Sequence, residues 1–299
     1  MIAASWLWVV FTLLAAAGQT ARNAMQRELT ATLGTVGATH VRFLFGFPFA
    51  VIFLVGVVLV GGYALPRPPT IFWPWVLFGA FAQILATGLM LAAMSDRSFV
   101  VTIAYIKTEA VQAAIFGLIF LGDAVTLPIM VAIVVATVGV VLMSFKGSAP
   151  IQGGLRPTLL GLFAGAMFAL SATGYRGAIL ALGQPSFVLA ATYTLTVGLV
   201  LQAALLTLYL AIRNRAVLIA IMRAWRPSLF AGFMGATASE FWFLAFALTS
   251  VANVRTLALV EVLFAQAISF FIFKQATTRR EALGMALIVV GVALLIWVQ

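Results

Sequence analysis

Apolar runs of roughly 20 residues, the length a helix needs to cross a bilayer, recur along the chain with short polar or Pro/Gly-containing turns between them. Ten such runs are legible, at 4–26, 36–60, 71–94, 98–121, 127–145, 156–182, 186–211, 228–249, 253–273 and 280–298. The pattern predicts an all-α integral membrane protein with ten transmembrane helices. The first run has only Met-Ile-Ala-Ala-Ser before it and no small-residue cleavage site, so it reads as a retained span that also serves as the insertion signal.

Composition supports the membrane assignment. Of 299 residues, 64% are hydrophobic and 8% charged, whereas a soluble domain carries about 25% charged residues. With no cysteine and one histidine, His40, the chain offers no disulfide framework, no thiol chemistry and no zinc-type cluster. No cofactor is expected. The net charge of +10 sits in loop arginines that set topology and forms no basic stripe for nucleic acid.

The chain also repeats. "YIKTEAVQAAIFGLIFLGDAVT" (105–126) aligns with "LALVEVLFAQAISFFIFKQATT" (257–278), placing Glu109 on Glu261 and Gly139 on Gly291, each 152 residues apart. Weaker echoes are "TARNAM" (20–25) with "TGYRGAI" (173–179), and "GLMLAAM" (88–94) with "EFWFLAFAL" (240–248). The expected organisation is two five-helix units, 1–147 and 153–299. Five is odd, so two units of one fold enter the bilayer from opposite sides, an inverted repeat of the kind that builds transporters with a site where the halves meet. Lys and Arg gather in the odd-numbered connections (Arg27, Arg97, Lys146, Arg156, Arg213, Arg215, Arg223, Arg226, Lys274, Arg279 and Arg280), which puts those loops in the cytoplasm and both termini outside.

Polar residues inside the apolar runs carry the candidate chemistry, because each costs free energy in hydrocarbon unless paired or hydrated. Lys107 and Glu109 stand about 200° apart around a helix and cannot pair with each other, so each needs a partner on another helix or water in a cavity. On the Glu109 face lie Tyr105, Gln112 and Phe116; the later repeat has Leu257, Glu261, Phe264 and Ile268 there. The glutamates either brace helix ends or line a cavity. Candidate substrate-binding residues are Gln19 and Asn23 in the first run, Gln83 and Thr87 in the third, Tyr105, Lys107 and Glu109 in the fourth, Tyr175 in the sixth, and Ser239, Glu240 and Trp242 in the eighth. Glu240 has a second reading, as the structural partner of Lys107 or Arg42. Arg22 and Arg255, near run ends, are expected to snorkel to the surface. Tyr193, Thr196 and the Gly161-x-x-x-Gly165 seam read as helix packing.

In each half a span carrying the repeated glutamate, closed in the first half by "F-L-G-D", precedes an apolar helix that carries "G-V-x-L". The residues are Glu109, Phe120-Leu121-Gly122-Asp123 and Gly139-Val140-Val141-Leu142 in one half, and Glu261 and Gly291-Val292-Ala293-Leu294 in the other. This arrangement resembles the EamA branch of the drug/metabolite transporter superfamily, most nearly its YddG-type amino acid exporters. Two departures stand out. Ala110 and Val262 follow the glutamates where family members commonly have proline, and Lys274-Gln275 replaces the second acidic turn. The resemblance implies a bacterial inner-membrane secondary transporter, a monomer in the lipid bilayer, that exports aromatic and other neutral amino acids or related small metabolites by alternating access. Efflux of drugs or lipophilic cations is the alternative. The chain has no G-x-x-x-x-G-K-[ST] loop for hydrolysis-driven transport, and no H-E-x-x-H, Asp-rich or Ser/His arrangement for an intramembrane enzyme.

Overall fold

The computed structural model describes residues 2–96, 105–144, 156–271 and 278–298, and among these every regular element is helical. In chain order they are α1 (Ile2–Leu44), α2 (Phe47–Gly61), α3 (Phe72–Asp96), α4 (Glu109–Phe116, extended by a π turn over Gly117–Leu121) and α5 (Leu127–Ser144). Then follow α6 (Arg156–Ala181), α7 (Phe187–Arg213), α8 (Arg215–Arg223) and α9 (Trp225–Leu248). The last are α10 (Val251–Leu257), a 3₁₀ turn over Ala258–Val260, α11 (Glu261–Phe271) and α12 (Arg279–Trp297). Helices suit this chain because in lipid each backbone N–H and C=O must be satisfied within its own segment.

Among the described residues, six helices are long and apolar enough to cross a membrane, and large apolar side chains such as Leu59, Val60, Phe81, Ile119 and Leu208 point outward, more than half exposed. A water-facing surface of that kind is unfavourable and a lipid-facing one is not. The protein is a multi-pass membrane protein.

Most predicted run boundaries fall within a few residues of helix ends. The first two do not. Residues 27–35, expected as a loop, continue α1, and the only interruption is Gly34, at φ 68° and ψ 173°. A side chain there would be strained, so glycine marks where the long helix bends. The expected loop between the seventh and eighth runs instead contains α8, a short helix with arginines at both ends; Ile221 is buried, and Val217 and Leu218 pack on the core. Arg97, Lys146, the Lys274-Gln275 turn and the side chain of Ile268 lie outside what the structure describes.

The broadest helix contacts pair α3 with α6, α1 with α9, and α5 with α12, while α7 joins α2, α9, α1 and α3. The α5–α12 seam is tight at aligned glycines. A Cβ on Gly139 would come 2.6 Å from the Gly284 carbonyl oxygen and 2.9 Å from the Ile288 nitrogen. One on Gly291 would come 2.7 Å from the Ala132 carbonyl oxygen and from the Ala136 nitrogen.

Candidate functional site

The fourth and ninth runs are each broken just before the repeated glutamate. In the first, Lys107 and Thr108 form a turn between a short helical segment and Glu109, held by three-residue hydrogen bonds such as Thr108 N to Tyr105 O (3.3 Å) and Ala110 N to Lys107 O (3.4 Å). In the second, the 3₁₀ turn Ala258–Val260 precedes Glu261. The absence of proline after each glutamate therefore does not prevent a break. It is seated by packing: a Cβ on Gly165 of α6 would lie 2.9 Å from the Ile106 carbonyl oxygen, so the Gly161–Gly165 seam receives the turn.

These breaks bring the embedded charges together across the molecule. Lys107 Nζ lies 2.5 Å from Glu261 Oε2, both side chains at most 5% exposed. Arg255 Nη1 lies 3.6 Å from Glu109 Oε1. Each glutamate is thus paired with a cation carried near the other, and Lys107 and Glu109, on different sides of the turn, have different partners. Buried pairs of this kind stay charged only with close geometry and further hydrogen bonds. Gln19 supplies one, donating from Nε2 to Glu261 Oε2 at 3.4 Å, while its Oε1 accepts from Trp242 Nε1 at 3.1 Å. Trp242 in turn lies under the Arg255 guanidinium, 4.7 Å from the ring centroid, with Phe246 at 5.3 Å.

A second network runs along α3. Arg42 Nη1 donates to Thr87 Oγ1 (3.1 Å), which donates to the Gln83 carbonyl (2.9 Å). Gln83 Oε1 accepts from Tyr175 OH (3.3 Å) and Gln202 Nε2 (2.9 Å). Next to Arg42, Arg22 donates from Nε and Nη2 to Asn23 Oδ1, at 3.3 and 2.8 Å.

Two small cavities lie among these groups. One is lined by Gln19, Arg42, Gln83, Phe168, Ser171, Ala172, Tyr175, Ser239, Trp242, Phe243, Phe246 and Arg255. The other is lined by Gln19, Arg22, Asn23, Met90, Ile106, Lys107, Glu109, Phe168 and Arg255. Each offers about 10 Å³ to the centre of a water molecule, room for about one water. A larger groove, about 550 Å³, opens between α1 and α8 beside Glu28 and Arg223, away from the charge cluster.

Of the residues singled out from sequence, Gln19, Asn23, Gln83, Lys107, Glu109, Tyr175, Ser239 and Trp242 border these cavities. Thr87 stands one bond behind, through Arg42. Tyr105 does not border them; it packs where Gly161 leaves room. Glu240 borders neither cavity and pairs with neither Lys107 nor Arg42; it accepts a 2.5 Å hydrogen bond from Thr192.

Arg22 and Arg255 do not snorkel. They are 1% and 5% exposed, because α1 runs past its expected end and leaves Arg22 mid-helix, and because Arg255 sits between two helix breaks. Arg42 and Phe168 were equally unforeseen as lining residues. Thr196 does pack helices, donating to the Ala50 carbonyl at 3.0 Å. Arg176 is structural: it donates to the Phe246 and Thr249 carbonyls at the end of α9, 2.5 Å each, and reaches Asp123 at 3.5 Å. Asp123 follows Gly122, whose φ of 67° ends the span, so the Leu-Gly-Asp motif ties the end of the fourth run to the end of α9.

Comparison with known proteins finds a family likeness over less than half of the chain. Residues 6–145 match the EamA-like transporter family. A solved structure described as "Crystal structure of protein" superposes with a TM-score of 0.71 at 14% identity, covering 99% of this chain and 99% of that one. At that identity the likeness speaks to fold alone. No curated protein matches the chain.

Proposed function

We propose that the protein is a secondary transporter of ten spans in two inverted five-helix halves, 1–147 and 153–299, exporting amino acids or related small metabolites across the bacterial inner membrane. The observation that carries this reading is the reciprocal charge cluster. Lys107 and Glu109 from one half meet Glu261 and Arg255 from the other around two occluded cavities.

The α5–α12 seam supports the inverted relation. Gly139 touches Gly284 and Ile288, and Gly291 touches Ala132 and Ala136, which the repeat offset makes equivalent contacts. Moving up one helix moves down the other, as a two-fold axis in the membrane plane requires. The exchange of partners between α3–α6 and α1–α9 fits the same axis.

Cavities that hold about one water each cannot hold an amino acid. Transport then requires one half to rock against the other, and the breaks at Lys107 and Ala258 are where helices meet at the cluster. Guanidinium groups suit a carboxylate, and Phe168, Trp242, Phe243 and Phe246 suit an apolar body. The lipophilic-cation alternative is disfavoured by the arginines facing the same space.

Purified protein in liposomes is expected to take up radiolabelled amino acids or related small metabolites saturably, blocked by excess unlabelled solute. Uptake no greater than that of empty liposomes for every small metabolite tried, with the protein monodisperse, would sink the proposal.

A further inference from the structure

Six buried charges surround the two cavities: the cations Arg22, Arg42, Lys107 and Arg255, and the carboxylates Glu109 and Glu261. The two ion pairs consume Lys107, Arg255 and both carboxylates. Arg22 and Arg42 remain, 1% and 2% exposed. The nearest half-buried acids are engaged elsewhere, Glu240 with Thr192 and Asp123 with Arg176.

Neither arginine is saturated by neutral partners. Among the described residues, Arg22 Nη1 and Arg42 Nε have no hydrogen-bond acceptor. Their stems cross the same small residue, since a Cβ on Gly235 of α9 would lie 3.3 Å from Arg22 Cδ and 3.5 Å from Arg42 Cγ. Like charges held side by side in a non-aqueous interior are unfavourable, and arginine cannot escape by losing its proton. Two guanidinium groups in surplus over the carboxylates, set side by side against Gly235, can receive an anion.

Resting on the carrier reading above and narrowing it, we propose that the transported solute carries two negative charges, as a dicarboxylate or a phosphate monoester does, with its anionic end held between Arg22 and Arg42. Planar guanidinium forks match carboxylate and phosphate oxygens in pairs. Phe168, Phe243 and Met90 leave an apolar wall for the rest of the molecule. A neutral zwitterion would leave the surplus charge uncancelled, and a lipophilic cation would add to it.

The test uses the full chain in liposomes with four radiolabelled probes: succinate, glycerol 3-phosphate, phenylalanine and tetraphenylphosphonium. Saturable uptake of succinate or glycerol 3-phosphate is expected, the two separating carboxylate from phosphate recognition. Arg22→Met and Arg42→Met should each lower that uptake at least tenfold. Arg22→Met should also raise the melting temperature of substrate-free protein in detergent, because it removes a surplus buried charge; a merely structural arginine would lower it. Uptake of phenylalanine or tetraphenylphosphonium with neither dianion moving or competing overturns this inference and leaves a carrier. No uptake of any probe, and no probe shifting the melting temperature of monodisperse protein, overturns both. A lower melting temperature in Arg22→Met with dianion uptake intact removes Arg22 from the site and overturns the assignment.

Discussion

The two halves build the same feature with different means, and the contrast between their ion pairs separates what holds the protein together from what is free to respond. At one pair, Lys107 gives its ammonium to Glu261 at 2.5 Å, and Gln19 braces the same carboxylate oxygen. At the other, Arg255 stands 3.6 Å from Glu109 and lies over two aromatic rings. The aligned partners of Lys107 and Arg255 in the opposite repeat are Leu259 and Ile103, so the cations are not duplicated although the glutamates are. A compact ammonium spends its charge on one carboxylate. A guanidinium divides its charge between a carboxylate and π faces, and can exchange one for the other at low cost. On the proposed carrier reading, the Lys107–Glu261 pair is the clamp between halves, and Arg255–Glu109 is the pair able to release toward the cavities it borders.

The sharpest way to break that distinction is to remove the clamp's cation. Lys107→Met leaves Glu261 buried without its ion-pair partner, and breaking a buried pair from one side costs about 3–5 kcal/mol. The folded yield of Lys107→Met, measured as the monodisperse fraction after detergent extraction, is expected to fall severely. Adding Glu261→Gln in the same chain should recover most of it, because the orphaned charge is gone. A single variant that folds as well as the parent would show that Lys107 does not hold the halves together.

Much of this was legible in the sequence and some was not, for physical reasons. Hydropathy located most helix ends because the bilayer imposes one length, and the 152-residue offset located both glutamates. That Lys107 and Glu109 need partners on other helices followed from helix geometry alone. Which partners they take did not, because pairing depends on how helices cross. Arg22 was misplaced because residues 27–35, read as a loop, continue α1 through Gly34; a retained helix hides its extra turns among polar residues when those turns pack on a neighbour. Tyr105 was placed on the Glu109 face from a 3.6-residue period, and the turn at Lys107 and Thr108 interrupts that period. Glu240 gave no sequence sign of its hydroxyl partner, since Thr192 lies 48 residues away.

Neutralising the second glutamate should have a smaller and different effect. Glu109→Gln frees Arg255, which retains the Trp242 and Phe246 faces as partners, so the folded yield is expected to drop by less than half. Transport should fall more than yield, by about tenfold, if this is the pair that opens. Equal losses in both quantities would put Glu109 alongside Lys107 as a brace and erase the contrast between the pairs.

The smallest effect belongs to the group that touches both pairs. Gln19 bridges Glu261 and Trp242, and Trp242 lies under Arg255. Trp242→Phe keeps a ring beneath the guanidinium but deletes the indole N–H, leaving Gln19 Oε1 without its donor. The loss of that hydrogen bond and of the stronger indole face is expected to cost about 1 kcal/mol, read as a melting-temperature drop of a few degrees. If the pairs are independent, combining Trp242→Phe with Glu109→Gln should give an additive shift. If Arg255 transfers its charge from carboxylate to ring as proposed, the double variant should lose clearly more than the sum, because each change removes the refuge that the other leaves. An additive result would mean that Gln19 and Trp242 join the two pairs in space without coupling them in energy.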